Sequence, residues 1–192
     1  GEGDTPTPSK SIPPAGKISR QKAALETAVQ IGKVLGVSSV DLDKVLKFAL
    51  KRIRIIVNVE AGHVYLREKE QMRTAMAFDT KDRSLKKVQF KVGQGIAGRA
   101  VALGKTILVN DAEKAARLYR EIDRRADFTA RSALCIPLLS QEEIIGVVEV
   151  LNKIEGNFDA EDKKLLQPIS DAISSALQHF QGNNSRAQAT SA

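Results

Sequence analysis

Two apolar runs, SALCIPLL at 132–139 and EEIIGVVEVLNKI at 142–154, restrict the fold of this chain more than any other feature. Both are aliphatic and β-branched, and the Ser-Gln-Glu between them leaves room only for a tight turn. They are expected to pair as a hairpin. Because nothing else in the chain is so hydrophobic, this pair is placed at the centre of a sheet.

Helical periods flank that sheet. From Lys17 to Leu35 a narrow stripe of Leu25, Ala28, Gly32 and Leu35 recurs at three and four, ending at Gly36. Ser39 or Asp41 then caps a second helix, in which Leu42, Val45, Leu46, Ala49 and Ile53 share a face. GHVYLREKEQMRTAMAFD alternates around a polar REKEQ turn and reads as a first hairpin. VQFKV and KTILVND are short strands, and DAEKAARLYREIDRRADF is a polar helical excursion, poor in core residues. Asp159 opens a last long helix carrying Leu166, Ile169, Ile173, Ala176 and Phe180. The order predicts an α+β domain with a largely antiparallel central sheet of about six strands. The terminal helices are expected on one face of it, and a helical lid over a pocket on the other.

With 192 residues, 42% of them hydrophobic, the chain supports one ordinary core. Residues 17–181 are expected to form the domain, with a linker helix at 17–36 and a core at 41–181. The Pro-, Gly- and Ser-rich ends, 1–16 and 182–192, read as disordered linkers. The absence of Met at position 1 and of a long apolar run suggests a soluble piece of a longer or processed chain. A single cysteine, Cys135, excludes an internal disulfide and suits a reducing, cytoplasmic setting. The net charge of +7 invites a nucleic-acid reading, but there is no Trp, and aromatic residues hardly interleave the scattered cations. The basic residues are read as a solvated surface.

VGQGIAGRAVALGKTILVND, beginning at Val92, contains Gly93-x-Gly95-x-x-Gly98 after a strand, the outline of a dinucleotide turn. The strand before it alternates Lys and Gln with apolar residues, and hairpins follow it instead of crossovers, so a parallel nucleotide fold is rejected. Two readings of the glycines stay open: a tight turn, or a backbone that admits an anion to the first N–H groups of a helix at Ile96 and Ala97.

The segment GQGIAGRAVALGKTILVNDAEKAARLYREIDRRADFTARSALCIPL resembles the GAF domains, in particular the cyclic-nucleotide-binding type found in regulatory regions of cyclic-nucleotide phosphodiesterases and adenylyl cyclases. It carries in order that family's glycine turn, its Asn-Asp-Ala run, its Tyr-Arg-x-x-Asp helix and its Arg-Ser-x-Leu-Cys-x-Pro strand. Further on, Asn152, Lys153, Phe158 and Asp162 stand at the positions of a family motif, with Lys163 in place of its Glu. The resemblance implies a salt bridge between Lys153 and Asp162 that holds the fold.

The resemblance also implies a pocket. Phe78 would stack on a purine, with Asp79 at the base edge. Ile96 and Ala97 would offer backbone N–H groups, and Tyr119, Ile122, Asp123 and Phe128 would cover the ligand. Glu149 would point up toward the base or ribose, and His63 occupies a position that is polar in relatives. Ala126 and Ala130 stand where relatives carry threonines that bond the ligand, whereas Arg124, Arg125 and Arg131 flank the lid and could attract a phosphate from a distance. Read from the residues alone, Glu149 in an apolar strand must face solvent, a ligand or a basic partner.

The function these residues point to is a regulatory sensor that binds cAMP or cGMP and is not itself an enzyme. It would relay the signal through paired terminal helices of a homodimer to an output domain outside this chain. The alternative is a dimerisation module with a vestigial pocket or a different small ligand. No nucleophile, metal cluster or cofactor site stands out: Cys135 reads as inert core, and His63 and His179 are isolated. Dimerisation is expected through Leu25, Leu35, Leu166, Ile173 and Phe180.

Overall fold

The computed structural model describes residues 15–37, 41–79, 87–124 and 127–191. Five helices and six strands follow one another as α1 (Ala15–Val34), α2 (Leu42–Ile53), β1 (Val59–Glu68), β2 (Gln71–Asp79), β3 (Gln89–Lys91), α3 (Gly95–Leu103), β4 (Ile107–Val109), α4 (Ala112–Tyr119), β5 (Ala133–Ser140), β6 (Glu143–Lys153) and α5 (Ala160–Thr190). Asp41 caps α2 by accepting from the Lys44 N–H at 2.8 Å, and the helix widens into a π turn over Arg54–Asn58 before β1. The Asp159 side chain caps α5, where a capping box with Asp162 satisfies both end groups. That helix runs on to Thr190, through the stretch 182–190 where composition suggests a linker, and its last residues, 186–191, are exposed.

All pairings in the sheet are antiparallel, in the order β3-β2-β1-β6-β5-β4. The expected apolar hairpin is β5–β6, but the sheet's centre is the pair β1–β6. β5 lies one place from the edge, covered there by the three-residue β4. β1 earns its central place through Val59, Ala61, Val64 and Tyr65, all buried despite the charged end of the strand.

Each face of the sheet has its own core. α1, α2 and α5 bury Ile31, Leu46, Ile53, Leu166, Ile169 and Ile173 against Val64, Leu134, Ile136, Val148 and Val150. On the opposite face α3, α4 and the segment after it bury Ile96, Ala100, Leu118, Tyr119 and Ile122 against Ala61, Tyr65, Cys135, Val147 and Leu151. Alternation along β6 divides the residues, sending Val148 and Val150 one way and Val147, Glu149 and Leu151 the other.

β1 and β6 approach closely at Gly146, where a Cβ would lie 2.4 Å from the Tyr65 carbonyl oxygen. Gly146→Ala therefore forces the central pairing apart, and its expected cost is about 1–3 kcal/mol, measurable as a lower urea midpoint.

Candidate functional site

The excursion between β4 and β5 crosses the second face of the sheet as a lid, tied down at one end by the loop that follows β6 and at the other by Asn152 near the end of β6. Asn110 and Phe158 exchange two hydrogen bonds, the Asn110 amide donating to the Phe158 carbonyl and the Phe158 N–H to Asn110 Oδ1, each at 2.9 Å. At the other end Asn152 Oδ1 accepts from the N–H groups of Arg131 and Ser132, and its amide donates to the Thr129 carbonyl and to Glu60. Asn152 is fully buried with φ 60°, a left-handed conformation that Asn tolerates better than most residues. Beside it, Lys153 Nζ donates to Asp162 Oδ1 at 2.6 Å and to the Val57 carbonyl, with both side chains nearly buried. Lys153, Asp162, Asn152 and Phe158 thus act as an anchor for the fold and the lid.

Under the lid lies a polar cluster centred on Glu149, which has no exposed surface. Arg124 reaches down from the lid and donates to Glu149 Oε1 at 2.5 Å and to the Tyr65 hydroxyl at 3.1 Å. Tyr65 itself donates to Glu149 at 3.4 Å, His63 Nδ1 stands 3.4 Å from the same oxygen, and the Cys135 thiol faces the other oxygen at 3.7 Å. The guanidinium carbon of Arg124 sits 4.4 Å from the centre of the Tyr119 ring, a cation–π arrangement, and Tyr119 leans on Phe128 at 5.3 Å.

Burial by itself would raise the Glu149 pKa, but the adjacent Arg124 charge and the His63 contact outweigh it and hold the carboxyl down at about 2. Burial likewise opposes charge on Arg124, yet Glu149 keeps its pKa above the usual value. The Cys135 thiol, with no charge partner of its own, is pushed up by burial and by Glu149. A thiol that stays protonated is a poor nucleophile.

A cleft of about 360 Å³ opens beside this cluster, between α4 and the end of the lid. Tyr119, Ile122, Asp123, Phe128 and Ala130 line it together, with Arg124 in its wall. Ile96 and Ala97 are buried in the first turn of α3 and do not line the cleft. His63 and Glu149 face each other across β1 and β6, and they do not line it either.

One of the expected residues stands apart. Phe78 packs on Gly62 and the helix-side core, with its ring where a Gly62 Cβ would be. The cause is a bulge: the pairing of β2 with β1 slips between Val64 and Tyr65, so Met72 and Thr74 face the lid while Met76 and Phe78 face the helices. Asp79 ends β2 opposite Ala61, and its side chain lies outside the described residues, as do Arg125 and Ala126. Arg131 is held by Glu60 at 2.7 Å. Arg124, read from the sequence as a flanking surface charge, is the most buried cation of the site. The signal that could have found it is Glu149 itself, since a carboxylate in a buried strand calls for a cation from whatever segment covers it.

Among solved structures, the GAF domain of an Acinetobacter phosphoenolpyruvate-protein phosphotransferase superposes with a TM-score of 0.68 at 19% identity, covering 82% of this chain and 94% of that one. A free methionine-R-sulfoxide reductase from Neisseria meningitidis, in complex with its substrate, superposes at 0.65 with 20% identity over 84% of this chain and 93% of that one. In sequence, the chain is 29% identical over 94 residues to a probable 3',5'-cyclic phosphodiesterase, pde-5, of Caenorhabditis elegans, and 36% identical over 83 residues to the dual 3',5'-cyclic-AMP and -GMP phosphodiesterase 11A of Takifugu rubripes. Those stretches are 49% and 42% of this chain but only 13% and 9% of the two relatives. The family model for the GAF domain matches residues 39–178, from the start of α2 into α5 and so across the whole sheet, the lid and its anchor. That is the unit the geometry delimits, and the chain belongs to the GAF domain family.

Proposed function

We propose that this GAF domain is a sensor for a cyclic purine nucleotide, taken up in the cleft under the lid. One observation carries the reading: Tyr119, Ile122, Asp123, Phe128 and Ala130, separated by up to eleven positions in a polar segment, converge on a single cleft, with the Arg124 that pairs with Glu149 in its wall. Aromatic walls suit a purine, and a volume of about 360 Å³ falls within the usual range for small-ligand sites. The carboxylate in the cleft's lining is that of Asp123, which offers acceptor oxygens. Guanine presents two neighbouring N–H donors to such a group, whereas adenine sets a single donor beside an acceptor nitrogen.

The relay would pass through the anchor. Lid and α5 are joined through the end of β6, which carries Asn152, and the short loop after it, which carries Phe158, so a lid that moves pulls on the first turn of α5. The dimer face needs revision, because Leu166 and Ile173 are spent in the protein's own core while Leu25 and Val29 of α1 are exposed. That α1 stripe is where a second copy would pair. The output domain would lie beyond this chain, and the domain would act as a regulator without catalysis, in keeping with its buried, protonated thiol. Among the described residues no helix is long and apolar enough to cross a membrane.

The second reading, a relay module without nucleotide, is favoured by Arg124, which already fills the space above Glu149. Isothermal titration separates the two. The expected result is saturable binding of cGMP, at least tenfold tighter than cAMP, with 5′-AMP and GTP as weak controls; such a ratio is within what one pair of directed hydrogen bonds supplies, about 1–3 kcal/mol. No heat from either cyclic nucleotide at millimolar concentration would leave the relay module.

A further inference from the structure

Three successive features of the lid meet at one residue of α3. Glu121 Oε2 accepts from the Gly95 N–H at 2.9 Å, Ile122 lies where a Gly95 Cβ would be, and Arg124 Nη2 stands 3.5 Å from that same position. Arg99, one turn along α3, grips the Glu121 carboxylate with both arms of its guanidinium, at 2.6 and 2.9 Å, and also donates to the Gly95 carbonyl. Gly95 can serve as this socket because it has no side chain and takes φ 66°. The carboxylate therefore occupies the anion position offered by the start of α3, with a backbone donor and a cation converging on it.

Nearby, Arg124 is more than nine-tenths buried, and its Nε has no hydrogen-bond partner among the described residues. The lid thus brings Arg124, which keeps one donor unused, and the Glu121 carboxylate to the same residue of α3. Glu121 and Arg99 are each about one-third exposed, so the contact is reachable from solvent and cheap to exchange, unlike the buried pair beneath it.

We propose that Glu121 is a built-in competitor: its carboxylate latches the empty lid onto Arg99 and Gly95, and the anionic group of an incoming ligand displaces it. The inference rests on the cleft being a ligand site. Exchanging one anion for another leaves Arg99 paired throughout, so opening the latch strands no charge. The device sets affinity by subtracting the latch from the ligand's own binding, and makes release of Glu121 the event that frees the lid.

Hydrogen exchange of the lid peptides and calorimetric titration with cGMP, on the wild type, Glu121→Ala and Arg99→Ala, test this together. Both variants are expected to exchange at least tenfold faster over 112–124 in the ligand-free protein, with melting temperatures close to wild type. Their affinities should move in opposite directions: Glu121→Ala binds cGMP more tightly, having lost the competitor, and Arg99→Ala more weakly, having lost the cation. Unchanged lid exchange in both variants overturns the latch. Faster exchange with weaker cGMP binding in Glu121→Ala overturns the competition, since Glu121 would then support the bound lid. Faster exchange in both variants, with cGMP bound neither by them nor by the wild type, removes the cyclic-nucleotide reading and overturns the competition with it, leaving only a structural clasp.

Discussion

Glu149→Gln is expected to lower the stability of the domain by about 3–5 kcal/mol, because it leaves the Arg124 guanidinium in the interior without its counter-charge. For a domain of this size the loss corresponds to roughly 10 °C in melting temperature. A control decides whether the cause is the stranded charge. Replacing both partners, Arg124→Met with Glu149→Leu, should recover most of the loss, since an apolar pair of similar volume is often no worse than a buried ion pair. If the double variant is as unstable as Glu149→Gln, the network through Tyr65 and His63 carries the energy instead. The same pair fixes an acid response. With Glu149 at about 2 in the folded state and 4.5 ordinarily, its contribution is complete above about 4.5 and declines as pH falls toward 2. An urea midpoint that falls over that window in wild type, and falls less in the double variant, is the expected result.

Lys153→Met should have a comparable effect for a different reason. Its ammonium joins Asp162, in the first turn of α5, to the Val57 carbonyl at the end of the π turn, and all three meet in the interior. Removing it orphans a carboxylate and a carbonyl together, again about 3–5 kcal/mol. Because its neighbour Asn152 at the end of β6 and Phe158 in the loop that follows hold the two ends of the lid, the variant should also speed amide exchange over 112–124. Global destabilisation with a lid as protected, relative to the rest of the domain, as in wild type would separate anchor from lid.

Most of the architecture was legible because period and polarity agree locally. The stripe of α2, the alternation of both hairpins and the acidic first turn of α5 each point one way. What escaped depends on contacts between distant segments. Which hairpin takes the centre of the sheet is decided by packing from both faces, which no single strand records. Phe78 follows its neighbours Met72 and Thr74 at a spacing of two, yet one bulged residue sends it to the other face. Glu121 and Arg124 sit in a run of charges that reads as solvated, and the contact of the one and the burial of the other become visible only when Gly95 and Glu149 are brought to them. The glycine turn left open an anion held by the N–H groups of Ile96 and Ala97; the N–H that holds one is that of Gly95, and the anion comes from the chain.

The two faces of the sheet carry different loads. The helix side is mainly apolar and continuous from α1 to α5, whereas the lid side is arranged around an ion pair and a clasp that solvent can reach. Substitutions that retune the lid therefore draw on a reserve held elsewhere. A lineage built on this plan can try new ligands, or none, while the helical face keeps the molecule folded, so ligand preference is free to drift faster than the fold beneath it.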